Sequence, residues 1–166
     1  AYIEHALNVA NARKSEFAQK YFRALADFNN VLAVLRVRAM GAPKEMLETN
    51  LLPAGNIAKS IFLNAMEQPF ETMARVLATG PAGFAIAAGL EAVQQSGRNS
   101  ALEKARDDYL MQLIKHDKYD VMTLQPVLGY LLAREQEAKC IRLIVTAKRN
   151  KLPDQVITER LREVYG

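Results

Sequence analysis

Apolar positions recur along this chain at helical spacing. They stand at Phe17, Tyr21, Leu25, Phe28, Leu32, Leu35 and Ala39, in steps of three and four, which draw one stripe along an α-helix. Ser15 is placed to cap its start, and Gly41 to follow its end. Pro43 then opens a short helix through Leu47 and Leu51, and Pro53-Ala54-Gly55-Asn56 is a loop. A helix through Ile57, Ile61, Phe62 and Ala65 stops before Pro69; residues 70–78 form another, and Gly80-Pro81 breaks the chain again. Residues 82–95 are Ala-rich and helical. Ser100 with Glu103 three residues on is a capping box for a helix through Leu110 and Ile114. Thr123 can cap a long helix carrying Leu128, Leu131, Leu132, Ala138, Ile141, Ile144 and Val145, ending near Asn150. Pro153-Asp154 starts a last short helix with Val156, Ile157, Leu161 and Val164. No useful period-2 pattern competes, because the helical stripe runs through β-branched Val31–Val37. The fold class is all-α.

Two segments share one layout: a long helix, a basic end, a short gap and a proline-opened helix. The prolines, Pro43 and Pro153, are 110 residues apart. That offset pairs Asp27 with Glu137, Val31 with Ile141, Val34 with Ile144, Leu35 with Val145, Arg38 with Lys148, Leu47 with Ile157 and Leu51 with Leu161. Helical periodicity alone produces some of these matches, and a repeated helical unit produces all of them. Repeat architectures bury each unit against its neighbour and expose broad binding surfaces.

Composition narrows the class. Half of the 166 residues are apolar, enough for a core, and 22 basic against 18 acidic residues leave a net charge of +4. That excess excludes a charge-dominated nucleic-acid tail and acidic disorder. One cysteine, Cys140, excludes an intramolecular disulfide framework and fits a reducing compartment. No run of 18 apolar residues is present, so no direct membrane span is expected, and the first residues lack a secretory-signal pattern.

No catalytic constellation emerges, and no metal, cofactor or small-molecule substrate is expected. His5 and His116 are far apart and read as solvent-facing. Cys140 reads as a buried inert thiol. Gly80-Pro-Ala-Gly83 lacks the Lys-Ser/Thr of a phosphate loop and reads as a helix break before a helix packing closely through Ala and Gly. The uncharged stretch Val76–Leu90 reads as buried helix. Asp107 and Asp108 diverge on their helix and read as a solvated face.

One charge feature is informative. Lys139, Arg142, Lys148, Arg149 and Lys151 occur with no acid between 139 and 151. From Arg134 onward there are eight basic and five acidic residues, three of the four net charges. Cations at a helix C-terminus complement its dipole. They also suit docking on an acidic partner surface. No aromatic interleaves them to stack on bases, which disfavours nucleic acid.

The residues Pro126, Tyr130-Leu131, Arg134-Glu135-Gln136-Glu137, Ile141-Arg142, Lys148-Arg149 and Pro153 resemble the C-terminal signature of the C subunit of the V-type and A-type rotary ATPases, called the d subunit in eukaryotic V-ATPases. Cys140 stands where that family usually has Asn. Asp27-Phe-Asn-Asn30 through Arg38, followed by Leu52-Pro-Ala-Gly-Asn56, resembles the preceding lobe, with Asn30 in the Asn position. The resemblance implies two similar helical lobes, 1–60 and 61–166, of a pseudo-threefold, funnel-shaped protein whose first lobe would precede Ala1. It implies a non-catalytic, cytoplasmic central-stalk piece, peripheral to the membrane, that seats the central shaft subunits on the membrane rotor ring for proton or sodium transport. Lys139, Arg142, Lys148 and Arg149 are the expected interface, and they cannot all face one way on a helix. A free-standing helical adaptor and a helical nucleic-acid-binding domain are the alternative readings.

Overall fold

The computed structural model describes residues 2–116 and 125–162, except the side chains of residues 125, 128, 159 and 160. Every regular element among them is an α-helix: α1 (Tyr2–Ala12), α2 (Glu16–Ala39), α3 (Lys44–Asn50), α4 (Lys59–Ala65), α5 (Phe70–Leu77), α6 (Gly83–Ser96), α7 (Ser100–His116), α8 (Gln125–Arg149) and α9 (Asp154–Arg160). The chain forms two compact units, Ala1–Arg106 and Asp107–Gly166.

The first unit is organised around α2. Ser15 caps it, its Oγ accepting from the N–H of Ala18 at 3.3 Å. Twelve of its residues are buried, and they lie all round the helix rather than on one stripe. Phe28, Val31 and Val34 have no exposed surface. α1 covers one side, with Ile3 and Leu7 packed around Ala26, Phe22 and Leu25. This helix escapes a search for long stripes, because Ile3, Leu7 and Ala10 are its only buried anchors. α7 is tied to α2 by Arg36–Glu103 (3.2 Å) and by Arg106 donating to Asn29 (3.2 Å). Glu103 is thus occupied by an ion pair, and α7 begins at Ser100 itself, whose predecessor's carbonyl accepts from Leu102 and Glu103. The capping box expected at Ser100 is replaced by this arrangement.

α6 packs as its small residues suggest. A Cβ on Gly89 would sit 2.6 Å from Leu102 Cδ1 and 2.9 Å from the Ala105 Cβ, so the glycine lets α6 and α7 approach. The expectation of a wholly buried 76–90 stretch is corrected at Phe84, which is 91% exposed, while Ile86 and Leu90 are buried.

The loop after α3 is clamped onto α2 by two buried polar side chains. Asn30 donates to the Leu52 carbonyl at 3.0 Å and accepts from the Leu52 N–H at 2.8 Å. Asp27 accepts from the N–H groups of Asn56 (3.0 Å) and Ile57 (3.1 Å) and from the Asn56 side chain (2.9 Å). Gly55 presses against that carboxylate: an added Cβ would lie 2.1 Å from Asp27 Oδ1. Gly55→Ala is therefore expected to displace either the loop or the carboxylate and cost about 2–3 kcal/mol. Chemical denaturation checks this; a loss below about 0.5 kcal/mol would show that the loop yields freely.

The 110-residue offset reappears in the backbone. Shifted by 110, α2 and α3 superpose in sequence on α8 and α9 to within one residue at each end. Gly41 has φ +60° and its counterpart Lys151 has φ +53°. The turn bonds correspond as well: Gly41 to Arg38 and Ala42 to Val37 in one copy, Lys151 to Lys148 and Leu152 to Ala147 in the other. Leu51 bonds back to Leu47 as Leu161 does to Ile157. A lysine held in the left-handed region that its counterpart fills with glycine marks a shared turn geometry, since that region costs a side-chain-bearing residue about 1–2 kcal/mol.

Candidate functional site

The second unit places one face of α8 in the core and another outside. Gly129, Ala133, Gln136, Cys140 and Ala147 are buried. Gly129 sits against α7, where a Cβ would approach Ile114 Cγ2 to 3.1 Å. Cys140 is a buried free thiol, as its sequence position suggests. Asp107 corrects an expectation: it is buried and bonded to Arg162, rather than part of a solvated face. Arg162 is the repeat counterpart of Leu52. The chain after α9 is thus held by a side-chain ion pair where the chain after α3 is held by Asn30. Cys140 and Glu137 occupy the positions of Asn30 and Asp27; among the described residues Glu137 pairs with Arg134.

The four basic residues singled out from the sequence are all exposed on α8. Two are engaged. Lys139 pairs with Glu135 at 3.1 Å, one turn earlier, and Lys148 with Asp154 at the start of α9. Arg142 and Arg149 form no ion pair among the described residues, and their spacing of two turns puts both on one side of the helix. Lys139 lies roughly 70° to one side of the midline between them and Lys148 roughly 110° to the other. The four therefore do not form one patch; Arg142 and Arg149 do.

Beside that pair runs a row that charge counting missed. Val127 (60% exposed), Leu131 (60%), Ile141 (61%) and Val145 (51%) lie outside, with Arg134 and Ala138 completing steps of four and three. Tyr130 (56%) borders the row. The repeat contained the signal: the counterparts Phe17, Ala24, Phe28, Val31 and Leu35 are all buried, and only Tyr21 is half-buried.

Elsewhere, the loop after α3 frames an open groove of about 670 Å³ bordered by Asn30, Leu52, Ile57 and the Lys59–Glu48 pair. Asn30 is already committed to Leu52, so the groove's deepest polar side chain serves the fold. Among the described residues no helix is long and apolar enough to cross a membrane.

Residues 1–160 match the model of the ATP synthase (C/AC39) subunit family, and the chain belongs to that family. Over 99% of its length it is 28% identical to the C subunit of the A-type ATP synthase of Pyrococcus furiosus and 25% identical to that of Pyrococcus horikoshii, covering 45% of each. A 65-residue stretch is 35% identical to the C subunit of the V-type sodium ATPase of Enterococcus hirae, 39% of this chain and 20% of that protein. The chain thus spans about half the length of the curated relatives it matches. No solved structure gives a significant match.

Proposed function

We propose that this chain acts as a non-catalytic coupling piece of an A- or V-type rotary ATPase, helping to seat the central shaft on the membrane rotor ring on the cytoplasmic side. The match to the ATP synthase (C/AC39) subunit family over residues 1–160 carries this reading. Such a task needs a stiff body and complementary surfaces rather than reacting groups. The many-sided burial of α2, the clamped loop at Asp27 and Asn30, and the close α6–α7 approach at Gly89 supply stiffness. The two-lobe division into 1–60 and 61–166, and its place in a pseudo-threefold funnel, belong to the same reading; the recurrence of the α2–α3 turn geometry in α8–α9 supports it.

The contact is assigned to the basic end of α8: Arg142 and Arg149, with Lys139 and Lys148 as contributors. Charge at such a contact acts mainly on association rate and orientation, so binding should weaken with salt. The test is surface plasmon resonance against purified shaft heterodimer. Charge reversal at Arg142 and Arg149 should weaken binding about tenfold or more and flatten its salt dependence. Unchanged binding after reversal of all four residues would overturn the assignment.

A further inference from the structure

The exposed row on α8 has a feature the basic residues alone do not explain. Its steps of four and three give a 3.5-residue period, the seam spacing of paired helices. It extends over about 27 Å, five turns of helix. It is narrow, and Arg134 stands in its middle already bonded to Glu137. A broad apolar sector, as a helix lying on lipid requires, is not what this face offers.

The repeat shows what such a row does when it is satisfied. On α2 the equivalent positions are buried within the first unit, except half-buried Tyr21, and on the same side of that row Arg36 takes up Glu103 from α7. On α8 the row is open, and Arg142 and Arg149 flank it on the corresponding side without a carboxylate among the described residues.

We infer that the row Val127, Leu131, Ala138, Ile141 and Val145 seats one amphipathic helix of a partner polypeptide, whose carboxylates meet Arg142 and Arg149. A second copy of the row is a poorer occupant. The acids of its own segment, Glu135 and Glu137, are already bonded to Lys139 and Arg134, and an antiparallel self-pair would set the arginine flank against itself. The inference shares Arg142 and Arg149 with the contact assigned above and deepens it by naming the chemistry of the occupant; membership of an ATPase is not among its premises.

The test uses the 166-residue chain and two synthetic stapled helices of about five turns. Both carry leucines at the seam spacing of paired helices; one has glutamates along a flank of the leucine row, the other lysines at the same positions. Fluorescence anisotropy should show the acidic helix binding at least about tenfold more tightly than the basic one. Ile141→Asp should weaken it about tenfold or more, with helical circular dichroism unchanged. Leu131→Asp should act likewise, and serves if Ile141→Asp alters the fold. R142E with R149E should reverse the preference towards the basic helix. Equal binding of both helices, or binding indifferent to both row substitutions, would overturn the inference. So would a concentration-dependent dimer that Ile141→Asp dissociates, which would give the row to a second copy. Capture by anionic phosphatidylserine vesicles that Ile141→Asp abolishes would give it to a lipid surface and would overturn the inference equally. Failure to bind the shaft, by contrast, bears only on the coupling role.

Discussion

Asp27→Ala should lower the stability of the first unit by about 3 kcal/mol, the expected result of stranding the buried N–H of Ile57 and releasing the part-buried N–H of Asn56. Ile57 is buried beside Asp27, which is 1% exposed, so water cannot easily replace the acceptor that its N–H loses. Removing the carboxylate also releases its own burial cost, which keeps the loss below the sum of the separate bonds. Urea denaturation should show a lower midpoint with an unchanged slope. A loss under about 1 kcal/mol would mean that the loop rebonds elsewhere.

The same group makes a pH prediction. Burial pushes the Asp27 carboxyl above its ordinary value, partly offset by the hydrogen bonds from Ile57 and Asn56 and by the charge of Arg23. A raised value means that the folded chain keeps this proton to higher pH than the unfolded chain does. The contribution to stability is therefore fully present below the unfolded value, about 3.9. It falls as pH rises through the folded value, beyond which the loss is complete. The stability difference between the native chain and Asp27→Asn, measured from about pH 3 to 7, should shift against the native chain above about pH 4. A shift in its favour would show that the hydrogen bonds outweigh burial.

The second large effect is a contrast between repeat positions. Val31→Asp should abolish cooperative unfolding of the first unit, because a carboxylate placed where no surface is exposed costs more than about 4 kcal/mol. Ile141→Asp, at the equivalent position on α8, should change stability by less than about 0.5 kcal/mol, because Ile141 is 61% exposed. Thermal melts followed by circular dichroism separate the two. A loss above about 1.5 kcal/mol at Ile141 would mean that the row is covered in the free chain.

These cases show where sequence reasoning reached and where it stopped. Helix ends were legible where a local device marks them: the Ser15 hydroxyl, the turn at Gly41 before Pro43, Pro69, and Pro153 ahead of α9. The cap proposed at Thr123 lies outside the described residues. α1 was missed because three buried residues without a cap make a weak pattern. The Asp27–Asn30 clamp was not legible as chemistry. Polar residues inside a helical stripe usually face water, and these find backbone partners 22 to 30 residues away. Asp107 failed for the same reason, since its partner Arg162 is 55 residues distant. Of the basic run, spacing correctly denied a single face, but only geometry showed that Lys139 and Lys148 were already paired.

The all-α class, most helix limits and the 110-residue offset were decided by the sequence, because helix-forming periodicity, caps and breakers act over a few residues. The recurrence of one turn at Gly41 and Lys151 follows from the same local rules. Tertiary structure decided which of two related helices is enclosed. Periodicity states which side chains share a face; it does not state whether another element lies on that face. Val31 and Ile141 occupy one repeat position on helices of one pattern, and coverage by neighbouring helices makes the first core and leaves the second surface.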